Sequence, residues 1–143
     1  MTVEASDEPG LEPSELVRQS GAVLRVGRLA LSAGTGSYRV KSHMTRVGQA
    51  LGLDRTAAHV TLTEITATSY RDRNFRTEVA EVRAVGINSD RLSELESYVS
   101  ELPEQITAAE VDAGLDRIAA SRSSTAASST RCGQVSRVRR SRS

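Results

Sequence analysis

The amino-acid sequence predicts an α+β domain: a helical hairpin, then a β-hairpin or small antiparallel sheet, then two more helices. Three observations support this ααββαα order. Residues 31–54 contain a Gly-rich turn followed by an apolar stripe at helical spacing. Residues 57–71 are rich in Thr, Val and Ile and lack Gly and Pro, a composition that favours strands. Thr107 and Glu110 have the spacing of a capping box, which marks the start of a last helix.

The first helix is predicted over residues 14–33, with small and apolar residues on its inner face. That face comprises Leu16, Ser20, Val23, Gly27, Ala30 or Leu31, and Gly34. Gly21 and Gly27 each cost about 1 kcal/mol of helix propensity relative to Ala. A helix that contains both is expected only where tertiary packing compensates for them.

The second helix is predicted over residues 38–51, after the Gly-rich turn of residues 33–36. Ser37 stands where an N-cap residue belongs, and Gly52 stands where a left-handed residue ends a helix at low cost. The short turn predicts that the two helices run antiparallel. The apolar stripe of the second helix, at offsets of four, seven and eleven residues, is Val40, Met44, Val47 and Leu51.

A β-hairpin is predicted to follow the helices. Its first strand covers residues 57–71, and the alternation of apolar side chains changes phase near Thr63 and Glu64, which indicates a bulge or a break. Residues 72–74 form the turn, and the return strand covers residues 75–85. Because apolar residues occur on both faces of the return strand, both faces are expected to be covered.

Two helices are predicted to complete the domain. The third begins at residues 88–90 and ends before Pro103. The fourth follows the capping box at Thr107. The inward residues are predicted to be Leu92, Leu95, Val99 and Leu102 in the third helix and Val111, Leu115 and Ile118 in the fourth.

The composition divides the chain into a lead-in, a domain and a tail. Residues 1–13 are polar, contain two Pro and one Gly, and are predicted to be a disordered lead-in. Residues 14–120 are the predicted domain. Residues 121–143 contain eight Ser, six Arg and no acidic residue, and are predicted to be a disordered basic tail. Since the whole chain has a net charge of +1, the remainder of the chain is acidic.

The composition also excludes several kinds of site. Cys132 is the only cysteine, so an internal disulfide is excluded. His43 and His59, the only histidines, are 16 residues apart, which does not fit a zinc site. No run of about 18 apolar residues and no secretory signal occurs, so the chain is predicted to be soluble and cytoplasmic. No cofactor and no metal are predicted.

The start of the second helix is the predicted binding site. Ser37, Tyr38 and Arg39 follow the Gly-rich turn, where free backbone N–H groups and the helix dipole favour a carboxylate or a phosphate. The alternative interpretation is capping alone, with Tyr38 packed on the helical hairpin.

No catalytic residue is predicted, because Ser37 and His43 lie on different sides of one helix. A group of strand residues is interpreted either as a polar pocket or as ordinary half-exposed positions: Thr61, Thr63, Thr66 and Thr68.

An ordered set of short segments resembles the N-terminal soluble domain of the threonine/serine exporter family over residues 16–118. In that family a helix ends in a Gly-Ala-type turn, a Tyr/Ser-Arg-Val segment opens the next helix, and Ala-Leu-Gly-Leu closes it. A Thr-rich strand, a Thr-x-Val-x-x-Val strand and a Leu-spaced helix follow. The matching positions outside the Thr-rich strand and the Leu-spaced helix are Ala33, Gly34, Ser37, Tyr38, Arg39, Val40, Ala50, Leu51, Gly52, Leu53, Thr77, Val79 and Val82.

The sequence departs from the family pattern in three places. Lys41 and Ser42 stand where the family has acidic residues, and Glu64 stands where the family has a Gly. Family members continue into membrane-spanning helices that carry the export activity, whereas this sequence continues into its Ser/Arg tail. The 18 Arg against one Lys indicate GC-rich coding DNA, so we expect the tail to be out-of-frame or truncated coding sequence.

The resemblance implies a bacterial, cytosolic-side domain of a threonine/serine exporter-like protein, truncated before its membrane spans and unable to transport by itself. Its expected partner is the membrane-spanning exporter domain, in cis in the family and in trans here. An amino acid is the expected ligand, and no specific nucleic acid is expected. Two alternatives stay open: a free-standing small-molecule-binding or hydrolase-like domain, and a non-functional gene fragment.

Overall fold

The computed structural model describes residues 13–83 and 86–121 of the chain, so the predicted lead-in and tail lie almost wholly outside the described residues. Four helices and a three-stranded antiparallel sheet confirm the predicted α+β class. The elements are α1 (Pro13–Ser32), α2 (Ser37–Ala50), β1 (Arg55–Val60), β2 (Glu64–Arg71), β3 (Asn74–Glu81), α3 (Ser89–Ser100) and α4 (Ala108–Ala120).

The predicted helical hairpin is confirmed, and its turn begins directly after Ser32 and contains Gly34. Gly34 has a φ of +91°, a left-handed conformation that glycine adopts without steric cost, and Gly52 after α2 has a φ of +85°. The prediction of Ser37 as the N-cap is wrong by one residue. Gly36 holds the extended cap conformation (φ −72°, ψ 156°), so helical backbone geometry already begins at Ser37. No side chain caps α2 at this end.

The sheet has three strands where the sequence predicted two. The predicted strand over residues 57–71 is an antiparallel pair, β1 and β2, joined by a turn at residues 61–63. Thr61 closes this turn: its backbone N–H donates to the carbonyl of Glu64 (2.9 Å), and its hydroxyl accepts from the Glu64 N–H (3.0 Å). The phase change noted near Thr63 therefore marks a reversal of the chain.

β3 is an edge strand, and the prediction that both of its faces are covered is wrong. The strand order is β1-β2-β3, and the pairing runs from Glu64 opposite Glu81 to Arg71 opposite Asn74. The inner face of the sheet includes Ile65, which is fully buried. On the outer face Phe75 is 68% exposed and Val79 is 61% exposed, since the described helices pack on the inner face.

α3 and α4 close one side of the domain, and both predicted helix starts are confirmed. The side chain of Asn88 accepts a hydrogen bond from the Arg91 N–H (3.0 Å), and Thr107 and Glu110 form the reciprocal capping box. The predicted inward residues are buried except Leu92, which is partly exposed. The backbone N–H of Ile106 donates to the carbonyl of Ala50 (2.9 Å), which ties the α3–α4 connection to the end of α2.

Only one of the two glycines inside α1 is required by packing. A Cβ placed on Gly27 lies 2.6 Å from the Met44 Sδ and 3.3 Å from the Ile65 Cδ1, so α1 approaches α2 and β2 closely here. A Cβ placed on Gly21 meets nothing within 4 Å. The propensity cost of Gly27 is thus offset by close packing, and that of Gly21 is not.

The Gly27→Ala variant is predicted to be less stable than the wild type, by about 1–3 kcal/mol, because Met44 is fully buried and has to be displaced. The matched Gly21→Ala variant on the same helix is predicted to gain up to about 1 kcal/mol from helix propensity. Urea unfolding followed by circular dichroism measures both changes. A Gly27→Ala protein as stable as Gly21→Ala would contradict the close approach at Gly27.

Candidate functional site

The predicted site residues Ser37, Tyr38 and Arg39 lie together on the first turn of α2, on the protein surface. Tyr38 is 84% exposed, so the interpretation that it packs on the helical hairpin is wrong. Arg39 already has a carboxylate partner, because its Nη1 lies 2.8 Å from the Glu96 Oε1 of α3. Whether these three residues bind a ligand stays a prediction.

His43 lies one turn after Arg39 on α2 and is half-buried between charged neighbours. Its Nε2 is buried without a hydrogen-bond partner among the described residues. Burial lowers the pKa of His43 below its ordinary value of 6.5, and it outweighs the upward effect of Glu96; Arg39 lowers the pKa further. The neutral imidazole is therefore the form that this packing favours.

The four threonines do not converge on a pocket. Thr66 and Thr68 point to the outer face of the sheet, and the Thr68 hydroxyl lies 2.8 Å from that of Thr77 on β3. Thr61 belongs to the β1–β2 turn, where its hydroxyl bonds to backbone groups. This arrangement favours the interpretation as ordinary strand and turn residues.

The structure shows a cleft of about 630 Å³ that the sequence interpretation missed. It lies between one face of α1, the end of β3 and α4, and is lined by Arg25, Arg28, Leu29, Ser32, Glu81, Val82, Arg83, Leu115 and Ala119. A second cleft of about 490 Å³ shares Arg25 and Arg28 and reaches Glu78 and Val79. We call the two together the α1 groove. The α1 residues of the groove recur every three or four positions, so they form a second stripe along the helix. This spacing is the sequence signal that could have revealed the groove. The stripe consists of Gly21, Leu24, Arg25, Arg28, Leu29 and Ser32.

Two of the three arginines in the α1 groove have carboxylate partners. Arg25 pairs with Asp112 (3.1 Å) and Asp116 on α4. The hydrogen bonds that Arg25 donates to Asp116 and Asp112 raise its pKa against the opposing effect of burial. Arg83 lies 3.3 Å from the Glu81 carboxylate, and both side chains are largely exposed. Among residues 13–83 and 86–121, Arg28 has neither a carboxylate nor a carbonyl partner.

A buried polar cluster joins α1 to the inner face of the sheet. The Ser20 hydroxyl donates to the Glu78 Oε2 (3.0 Å), while the Arg76 Nε donates to the other oxygen of Glu78 (2.7 Å). Gln19 donates to the Leu51 carbonyl (3.0 Å) and accepts from Arg71 (2.9 Å). Ser20 is fully buried, so its contact with Glu78 holds α1 on β3 and does not present a nucleophile.

The part of the chain that the structure describes contains neither a metal-binding cluster nor a membrane-spanning helix. No group of three His, Cys, Asp or Glu side chains there is arranged to hold a metal ion. No helix within residues 13–83 and 86–121 has both the length and the apolar character needed to cross a bilayer.

Fold and groove together define a small α+β domain with a charged surface cleft of ligand-binding size. Residues 22–132 match the family model described as threonine/serine exporter. The chain therefore belongs to this family, which confirms the resemblance found in the sequence. The matched range includes the first residues of the predicted tail. Neither the curated proteins nor the solved structures compared with the chain include a match.

We predict that the protein loses stability as the pH falls below about 6.5, because of His43. Its pKa is lower in the folded than in the unfolded chain, so the unfolded state binds the proton more readily and gains population on acidification. Urea midpoints at about pH 7.5 and about pH 5.5 measure this loss. The His43→Gln variant should lose less stability over this interval than the wild type.

The matched control for this measurement is His59→Gln, which changes the other histidine, an exposed residue of β1. A wild-type protein and a His43→Gln protein with the same pH dependence would show that burial of His43 has no consequence for proton binding.

Proposed function

We propose that this chain provides the non-membrane domain of an exporter of threonine, serine or similar amino acids. The match of residues 22–132 to the exporter family supports the proposal most directly. The transport step itself is assigned to membrane-spanning helices, in the same polypeptide or in a partner. The domain is proposed to lie on the cytoplasmic side of the membrane, where it meets the amino acid before export.

Its proposed role is to sample the amino acid and to pass this information to the membrane part. The polar surface around α1 and the uncovered outer face of the sheet are both available for such contacts. Ser37, Tyr38 and Arg39 were the positions predicted from sequence for the carboxylate of the amino acid. The ion pair between Arg39 and Glu96 weakens that assignment, because a ligand carboxylate has to compete with Glu96.

An efflux assay tests the proposed function. Cells loaded with threonine are prepared with the membrane-spanning part of a threonine/serine exporter, either with or without this chain. We expect faster threonine efflux when both polypeptides are present, since the domain is proposed to act on the membrane part. The chain alone should leave efflux at the background rate.

The control for this assay is a Val26→Asp chain, because Val26 is fully buried in the core and a carboxylate there disrupts the fold. Equal efflux with and without the wild-type chain, with both polypeptides detected in the cells, would refute a role in export.

A further inference from the structure

The α1 groove contains a guanidinium group that lacks a counter-charge. Arg25 is held by two carboxylates of α4, and Arg83 is paired with Glu81, whereas Arg28 has no carboxylate or carbonyl partner among the described residues. A guanidinium group presents N–H donors in a planar fork that matches the two oxygens of a carboxylate. Arg28 is exposed and lines both clefts, so this fork is accessible to a ligand carboxylate.

Apolar residues line the larger cleft together with Arg28. Leu115 and Val82 belong to the hydrophobic core and are 1% and 6% exposed, and Leu29 packs against the same core. Such a wall suits a short aliphatic side chain. The larger of the two clefts, about 630 Å³, lies within the range of small-molecule sites in proteins.

Glu81, the last residue of β3, is an acidic residue that lines the larger cleft. Its contact with Arg83 is 3.3 Å long, and the two side chains are 63% and 85% exposed. An exposed ion pair of this kind contributes little to stability, so a ligand cation can compete with Arg83 for the Glu81 carboxylate. Arg28 and Glu81 thus line the same cleft and bring a cation and an anion to it.

We propose that the α1 groove binds a small zwitterionic amino acid, with its carboxylate on Arg28 and its ammonium group on Glu81. This inference rests on the proposed function for the class of ligand, and it moves the binding site from the start of α2 to the groove. Arg39 is already paired, at 2.8 Å from Glu96, and the neighbouring Tyr38 is 84% exposed. The groove provides both apolar lining residues and a guanidinium that is unpaired in the part of the chain that the structure describes.

Isothermal titration calorimetry of the full chain with L-threonine tests the proposal. Arg28→Gln should weaken binding about tenfold or more, because it removes a charge-assisted contact to the carboxylate. Glu81→Gln should weaken binding of L-threonine as well. Arg18→Gln is the matched control, since Arg18 is an exposed arginine of α1 that lines neither cleft.

Two ligand analogues separate the two halves of the proposed contact. L-Threonine amide lacks the carboxylate and should bind wild type and Arg28→Gln equally weakly. 3-Hydroxybutyrate lacks the ammonium group and should bind wild type and Glu81→Gln alike. The proposal is overturned by equal threonine binding in wild type and Arg28→Gln, by loss of binding in Arg39→Gln but not Arg28→Gln, or by no threonine binding at all.

The efflux assay distinguishes failure of this inference from failure of the proposed function. If the wild-type chain accelerates efflux but Arg28→Gln binds threonine normally, the groove assignment is wrong and the export role stands. If threonine binding depends on Arg28 but the wild-type chain leaves efflux unchanged, the groove assignment stands and the export role is wrong.

Discussion

The close approach of α1 to α2 and β2 at Gly27 is the contact on which the rest of the domain depends. Met44 and Ile65 fill the space that a side chain at this position would occupy, and both are fully buried. α1 also packs against β3 and α4, so one helix contacts both halves of the fold. Because apolar burial is the main driving force of folding, the inner stripe of α1 organises the remaining elements around it.

Polar contacts then fix the positions of β3 and α4, which line the α1 groove, relative to α1. Inside the core, the Ser20 hydroxyl donates a hydrogen bond to Glu78 of β3. At the surface, Arg25 forms ion pairs with Asp112 and Asp116 of α4. Burying Ser20 is tolerable because its hydroxyl has a charged acceptor. One side of α1 thus builds the core, and a neighbouring stripe of the same helix carries the charged cleft where we place the ligand.

Local sequence signals predicted the helices well and the strands less well. The capping box at Thr107, the end of α2 at Gly52 and the turn after β2 were all recognisable, because each depends on residues close together in the chain. A Thr-rich run of 15 residues was interpreted as one strand, although it holds two strands and a turn. Thr, Val and Ile favour extended backbone on either side of a turn, so composition does not reveal where the chain reverses.

The sequence by itself determined the α+β class, the order of the helices and the exporter family, since these follow from apolar periodicity, caps and short ordered motifs. It also named Arg39 as the candidate cation, because a helix start is visible in the sequence. Only the tertiary structure decided that Arg39 has a partner, whereas Arg28 has none within residues 13–83 and 86–121. Ion pairs such as Arg25 with Asp112 join residues 87 positions apart, and no local pattern records which charges meet when helices pack.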